Sequence, residues 1–270
     1  MPEQVKTIKQ FLGLNTATGD VGVEIEVEAK SELHTPPISS KWRREEDGSL
    51  RGYSAEYVTK TPVDKSIVPT LLDELRAGFS ETKCGPKQTY RAGVHVHVNV
   101  QQMTAEQVIR FALLYYCFED VLVRFCGETR EGNHFCLRIR DAEGPLVVIE
   151  GLRYEKNITK LHSDRYRYSS LNFCALFKYG SIEFRAMETR PDLSKINEWV
   201  EMLVALRDYS LKLDSRTSIP ERMSYLGPEA MLYEIIGESN YNLVYYKDME
   251  RDILRSMRLT QMAIYNGELQ

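Results

Sequence analysis

Apolar and polar residues alternate strictly along two stretches of the chain, residues 21–28 and 93–100. In the first, Val21, Val23, Ile25 and Val27 fall on one face, and Gly22, Glu24, Glu26 and Glu28 on the other. In the second, Val94, Val96, Val98 and Val100 oppose His95, His97 and Asn99. A period of two marks a strand with one face in the core. Residues 54–58 predict a short strand before Thr61 and Pro62, and strand-like runs recur at 135–140, 145–149, 169–173 and 181–187. Ile67, Leu71, Leu72 and Leu75 have helical spacing, and Thr104 with Gln107 forms a capping box that opens an apolar helix to about residue 125. From residue 192 the pattern turns helical, with Ile196, Trp199, Val200, Leu203 and Leu206 on one stripe and further helical stretches around Ala230 and Leu254. The expected fold class is α+β: a mainly antiparallel sheet with inserted helices and a helical C-terminal part, 192–270.

The 270 residues are 43% hydrophobic and 27% charged, a composition that fills a core without help. The whole chain, 1–270, is read as a single domain, with its motifs between residues 20 and 190. Thirty-five basic against 39 acidic residues leave a net charge of −4, which argues against a nucleic-acid partner because phosphate neutralisation needs excess cation. The longest apolar run, 111–118, is far short of the ~20 residues of a membrane helix. The N-terminus lacks the apolar stretch of a secretory signal. Five cysteines without a CxxC pair predict reduced, mostly buried thiols and a cytoplasmic setting, that of the host if the chain is phage-encoded.

The candidate chemistry lies on the polar strand faces. Glu24 and Glu26, His95 and His97, and Glu183 and Arg185 are three pairs separated by one residue. Each pair shares a face at roughly 6.7 Å along its strand. Two carboxylates at that spacing repel by about 2.5 kcal/mol at an effective dielectric near 20. Water on an exposed face relieves that cost, and so does a bound divalent cation. Carboxylates with an imidazole suit Mg²⁺ or Mn²⁺, and an adjacent Arg adds a fork for phosphate oxygens. No GxxxxGK[ST] or GxGxxG segment is present. Taken singly, each pair has a bland alternative: a solvated glutamate face, a half-exposed histidine strand, a surface ion pair. The two histidines alone also fit a zinc hydrolase. The co-occurrence of all three pairs, each opposite an apolar face, favours a metal-bound phosphate site.

With these residues in view, the chain resembles the amidoligase family of phage and bacterial genomes, related in fold to glutamine synthetase and glutamate–cysteine ligase. The resemblance rests on Gly22-Val-Glu-Ile-Glu26, Asp47-Gly-Ser-Leu50, Glu56 in Ala-Glu-Tyr-Val, Gly93-Val-His-Val-His-Val98, Arg167-Tyr-Ser-Ser-Leu-Asn172 and Ile182-Glu-Phe-Arg185, in that order. It implies a glutamine synthetase-like curved sheet with ATP and two or more divalent ions, Mg²⁺ or Mn²⁺, at its concave face. By the same resemblance, Glu24, Glu26, Glu56, His95 and Glu183 are metal ligands. His97, Arg167, Asn172 and Arg185 are nucleotide or substrate contacts, with Arg165 an alternative to Arg167. Arg185 and Glu26 act at the reacting atoms. Asp47 is a weaker candidate, with a tight turn at Asp47-Gly48 as its alternative reading, and Glu28 has no family role and reads as a solvated glutamate. The Gly-rich approach to the HxH strand is reduced here to Gly93.

The implied reaction is carboxylate–amine ligation through an acyl phosphate. The partners are then small-molecule, amino-acid or peptide substrates that offer a carboxylate and an amine, and an oligomer is possible. Three other readings stay open: a phosphotransferase on the same sheet, a zinc hydrolase built on His95 and His97, and a non-catalytic protein that kept the fold.

Overall fold

A computed structural model describes residues 5–31, 38–141, 161 and 167–264. The strand expected at 145–149 and the alternative contact Arg165 lie outside the described residues. The described part holds eight α-helices and one six-stranded antiparallel sheet. In chain order the elements are α1 (Ile8–Leu12), β1 (Val21–Ala29), β2 (Trp42–Glu45), β3 (Tyr53–Thr59), α2 (Val68–Thr82), β4 (Gly93–Asn99), α3 (Ala105–Cys126), β5 (Leu171–Asn172), α4 (Cys174–Tyr179) and β6 (Ser181–Glu188). Four helices follow: α5 (Ile196–Leu211), α6 (Ser218–Leu226), α7 (Pro228–Val244) and α8 (Met249–Ile264). The strands lie in the order β2-β3-β1-β4-β6-β5, which puts the glutamate-bearing and histidine-bearing strands side by side at the centre.

The apolar face of this sheet meets the helices. Phe184 of β6 packs against Phe111 and Tyr115 of α3, with ring centroids 5.5 and 4.8 Å apart, and against Trp199 of α5 at 6.5 Å. Tyr57 of β3 meets Phe79 of α2 edge-on at 5.3 Å. Helix α3 starts at the expected capping box, Thr104 with Gln107. It is buried nearly all round because α8 covers the side turned away from the sheet. The C-terminal helices thus supply the outer layer that lets so apolar a helix exist in water.

Two expectations need correction. Residues 135–140 are not a strand: they form turns, with one bridge from Leu137 to Ser169. The expected strand at 169–173 shrinks to Leu171–Asn172, and helix α4 follows at once. The five cysteines are free thiols, four of them buried. Among the described residues no helix is long and apolar enough to cross a membrane.

Candidate active site

Antiparallel register decides which polar residues meet. Glu24 stands opposite His95 of β4, and Glu26 opposite Glu56 of β3. His97 lies between Gly22 and Glu183, and Glu183 also pairs with Asn172 of β5. Five strands therefore present carboxylates, imidazoles and an amide to one face.

The distances are those of a tight cluster. Nδ1 of His95 is 3.3 Å from Glu24 and 3.5 Å from Glu183, while its Nε2 is 3.7 Å from Glu26. Nε2 of His97 is 3.0 Å from the other oxygen of Glu24. Arg185 donates through Nη1 to Glu183, whose second oxygen accepts from the Asn172 amide at 2.7 Å. Glu26 accepts the Gly93 N–H at 2.7 Å. Three groups of ligand atoms are close enough to share an ion: Glu24, His97 and Glu183; Glu24, Glu56 and His95; and Glu26, Asp47 and Glu56. The histidines fall in different groups, and none of the three holds both. Each group has a carboxylate majority, which suits Mg²⁺ or Mn²⁺ better than the zinc of a hydrolase.

Electrostatics divide the cluster in two. At Glu24, burial pushes the carboxyl upward, yet hydrogen bonds and charge from His95 and His97 win and hold it well below the usual range. Glu183 is also held low: burial opposes, but Arg185, His97 and His95 outweigh it. For His97, burial works against the charged form, while the hydrogen bond and charge of Glu24 raise its pKa. Glu56 has no ion pair among the described residues. Burial, then the charges of Glu24, Glu26, Asp47 and Glu45, push it up to about 8. The cation-poor end of the cluster is the Glu26–Asp47–Glu56 end.

Arg185 owes its setting to a bulge. Between Val94 and Val96 the partner on β6 jumps from Met187 to Phe184, so β6 carries one extra residue opposite His95. The Arg185 N–H pairs with Ser170 at 2.8 Å, and its carbonyl accepts from Arg130 Nη2 at 2.7 Å. Nε of Arg185 is buried and has no hydrogen-bond partner among the described residues. One arm of the guanidinium is thus held by Glu183 while another donor stays uncommitted.

Arg130, Glu188 and Gly127 form a support that sequence reading missed. Arg130 is buried beneath Gly93, where a Cβ would come within 2.9 Å of its Nη2. This explains why a glycine opens the HxH strand. Glu188, buried at the end of β6, accepts from Gln88 at 2.9 Å and from the Thr129 hydroxyl at 2.7 Å, and pairs with Arg190 at 2.6 Å. Gly127, at φ +125°, passes so close that a Cβ would sit 1.9 Å from the Glu188 carboxyl carbon. No periodicity marks Arg130 or Glu188. The isolated Gly93 and Gly127 were the available signals.

Other expected residues sit differently. Asn172 is buried, its amide given to Glu183 and its oxygen to the N–H of Cys174, so it orients Glu183. Arg167 is exposed in a turn, with its guanidinium 5.9 Å from the Tyr168 ring centre, and none of its recorded contacts reaches the cluster. Glu28 is corrected: it is 4% exposed and accepts the Arg51 N–H at 2.6 Å, so it is a structural carboxylate and not a solvated one.

A family model described as "Putative amidoligase enzyme" matches residues 66–207, more than half of the chain. The matched part carries His95, His97, Glu183 and Arg185, whereas Glu24, Glu26 and Glu56 precede it. No curated protein matches. Among solved structures, a bifunctional glutathione synthetase from Pasteurella multocida superposes with a TM-score of 0.45 and 7% identity, over 91% of this chain and 48% of that one. The chain spans about half the length of that structure, and so loose a superposition transfers neither fold nor site.

Proposed function

The chain belongs to the amidoligase family, and on that premise we propose that it is an ATP-dependent carboxylate–amine ligase working on its acidic sheet face. The observation that carries the reading is the ligand set itself: three carboxylate-rich groups, the first two joined by Glu24 and the last two by Glu56, with Arg185 at their edge. The residues fit divalent cations. Burial, and after it the charges of its carboxylate neighbours, push Glu56 up to about 8, and a bound cation would offset both. They also fit an anion, because the buried Nε of Arg185 has no hydrogen-bond partner among the described residues. A glutamine synthetase-like curvature of the sheet and a cytoplasmic setting belong to the same proposal.

Glu24, His97 and Glu183 would hold one cation, and Glu26, Asp47 and Glu56 another, with His95 between them. Bound there, Mg²⁺ or Mn²⁺ supplies neutralisation of phosphate charge. Arg185, anchored by Glu183, offers its free N–H to an oxygen of the transferring phosphoryl group. Asn172 and the Arg130-held bulge keep Glu183 and Arg185 in place. The substrate carboxylate attacks the γ-phosphate, the bond to ADP breaks, and an acyl phosphate forms. An amine then adds to the acyl carbon, loses a proton, and expels phosphate to leave an amide. Glu26 and Arg185 are the residues assigned to the reacting atoms, and the exposed Arg167 to a contact at the rim.

The test is ATP turnover with pools of amino acids and small peptides, read by mass spectrometry for amide products. A stable phosphorylated product would replace ligation by phosphotransfer on the same residues. Arg185→Lys keeps charge but loses the planar fork. Its turnover should fall on the order of 10²-fold or more, with a smaller change in ATP affinity. Wild-type turnover in that variant would reduce Arg185 to a structural partner of Glu183.

A further inference from the structure

Phe111, Tyr115 and Glu119 follow one another at four-residue steps on the side of α3 that packs against the sheet, where the two rings meet Phe184. A carboxyl group thus ends an otherwise apolar stripe. Glu119 is 1% exposed and forms no ion pair among the described residues. The nearby guanidinium of Arg138 is bonded to Asp120 at 3.4 Å and to Asp141 at 3.1 Å. Burying a carboxyl costs stability unless its oxygens are bonded, and an apolar residue at this position would avoid the cost.

What the two oxygens hold accounts for it. One accepts the Ser170 hydroxyl, and the other accepts the Ile139 N–H at 2.8 Å. The Ser170 hydroxyl also accepts from Tyr115 at 3.3 Å. Ser170 is the residue whose carbonyl takes the Arg185 N–H at 2.8 Å, at the bulge where β6 loses its register with β4. Two positions further on, the Asn172 amide holds Glu183 at 2.7 Å. This edge of the sheet is otherwise slight. Strand β5 has two residues, and among the described residues the single bridge from Leu137 to Ser169 extends it. One carboxyl on a buried helix therefore ties both edge segments, at 139 and at 170, to the core.

We infer that Glu119 is a positioning residue of the active site: by holding Ser170 and Ile139 to α3, it keeps the β5 edge where Ser170 aims Arg185 and Asn172 aims Glu183. It touches no substrate and acts through Ser170 and the backbone. The catalytic consequence rests on the ligase reading above, whereas the tether stands on the hydrogen bonds alone. Loosening the support of a donor to the reacting phosphate lowers turnover, because alignment is lost in the transition state. Nucleotide affinity is spread over the whole cluster and changes less, so the signature is a fall in kcat at nearly constant KM.

The experiment follows ATP turnover with the amino-acid and peptide pools in wild type, Ser170→Ala, Glu119→Leu and Glu119→Gln. Beside it, amide hydrogen exchange is measured in the metal-free proteins on the peptide that contains Arg185. Ser170→Ala and Glu119→Leu should lose about tenfold or more in kcat, with KM for ATP within about threefold of wild type. Glu119→Gln can still accept from Ile139 and bond Ser170, and should keep kcat within about threefold of wild type. Exchange at Arg185 should quicken about tenfold or more in the first two variants and stay near wild type in the third. Ser170→Ala deletes one hydroxyl, so it serves even where Glu119→Leu fails to fold. Wild-type kcat in Ser170→Ala overturns the inference. So does a rise in KM that matches the fall in kcat, which would mean a general loosening of the site. Equal losses in Glu119→Gln and Glu119→Leu also overturn it, since the bonds would then not be what matters. If wild type turns over none of the pools, the ligase reading falls and exchange alone judges the tether: quickened exchange in Ser170→Ala supports it, and unchanged exchange overturns it.

Discussion

Glu119→Gln should stabilise the protein at neutral pH and flatten its pH dependence. Glu119 lies on α3 and is 1% exposed. It accepts the Ser170 hydroxyl on one oxygen and the Ile139 N–H on the other, at 2.8 Å. Burial pushes its carboxyl up to about 8; the bonds from Ser170 and Ile139 oppose this, Asp120 adds to it, and Arg138 opposes. An unfolded chain would titrate near the ordinary value of 4.5. Between those values the native state binds the extra proton, so stability is full below pH 4.5 and falls as pH rises towards 8. At about 1.4 kcal/mol per unit, the loss reaches about 3 kcal/mol by pH 7 and about 5 above pH 8. Glutamine copies the protonated acid: its oxygen can accept from Ile139 and its amide can donate to Ser170. Urea unfolding of both proteins at pH 5, 6, 7 and 8 gives the difference directly. The variant's advantage should grow by about 1.4 kcal/mol per pH unit from 5 to 7. A constant difference would refute the linkage. A less stable variant at pH 7 would mean that the native carboxylate is ionised and that Ser170 and Ile139 hold it so.

Three further predictions concern the other carboxylates. Gly127→Ala puts a Cβ 1.9 Å from the Glu188 carboxyl carbon at φ +125°, and should cost about 3 kcal/mol or more in urea unfolding; full tolerance would mean that Glu188 does not fix this loop. Glu28→Ala removes the buried carboxylate that accepts the Arg51 N–H and should cost about 1–3 kcal/mol, while Glu28→Gln stays within about 1 kcal/mol of wild type. Calorimetry in chelator checks both, and equal losses would locate the effect in charge. Glu24→Gln and Glu26→Gln should keep or slightly raise metal-free stability, by up to about 1–2 kcal/mol, yet lose most of the melting shift given by Mg²⁺ with ATP. An undiminished shift in both would sink the cation assignment.

The core of the sheet was legible because the alternation on β1 and β4 is strict, and a one-residue slip would have put Val23, Ile25, Val94 and Val96 into the acidic face. The capping box at Thr104 likewise fixed where α3 begins. Reading failed where local pattern and tertiary partner disagree. Residues 135–140 look like a strand, but Leu137 finds only the single bridge to Ser169, and Ile139 spends its N–H on Glu119. Helix α1 is five residues long and held by its own capping box and by bonds to Gln101 and Met103, a stretch too short for a period to register.

At the site, alternation says which residues share a face but not what lies beneath that face. Glu24, Glu26 and Glu28 are equivalent by spacing, yet each has a different partner. Glu24 meets two histidines, Glu26 meets a backbone N–H, and Glu28 closes the turn at Arg51. The difference is set by what the neighbouring strands bring to each rung of the ladder, and that register is invisible in one strand. Glu183 and Arg185 make the same point from the other side. Their spacing of two puts them on one face only while β6 stays regular, and the bulge opposite His95 ends that regularity at Arg185. Arg130, from the turn after α3, accepts the role of ladder partner by binding the Arg185 carbonyl. Room for Arg130 in turn requires the absence of a side chain at Gly93. The ExR pair is therefore held by a residue fifty-odd positions away that shares no motif with it. A sequence motif can name the ligands of such a site, but the rigidity that makes them act together comes from contacts that only the folded chain creates.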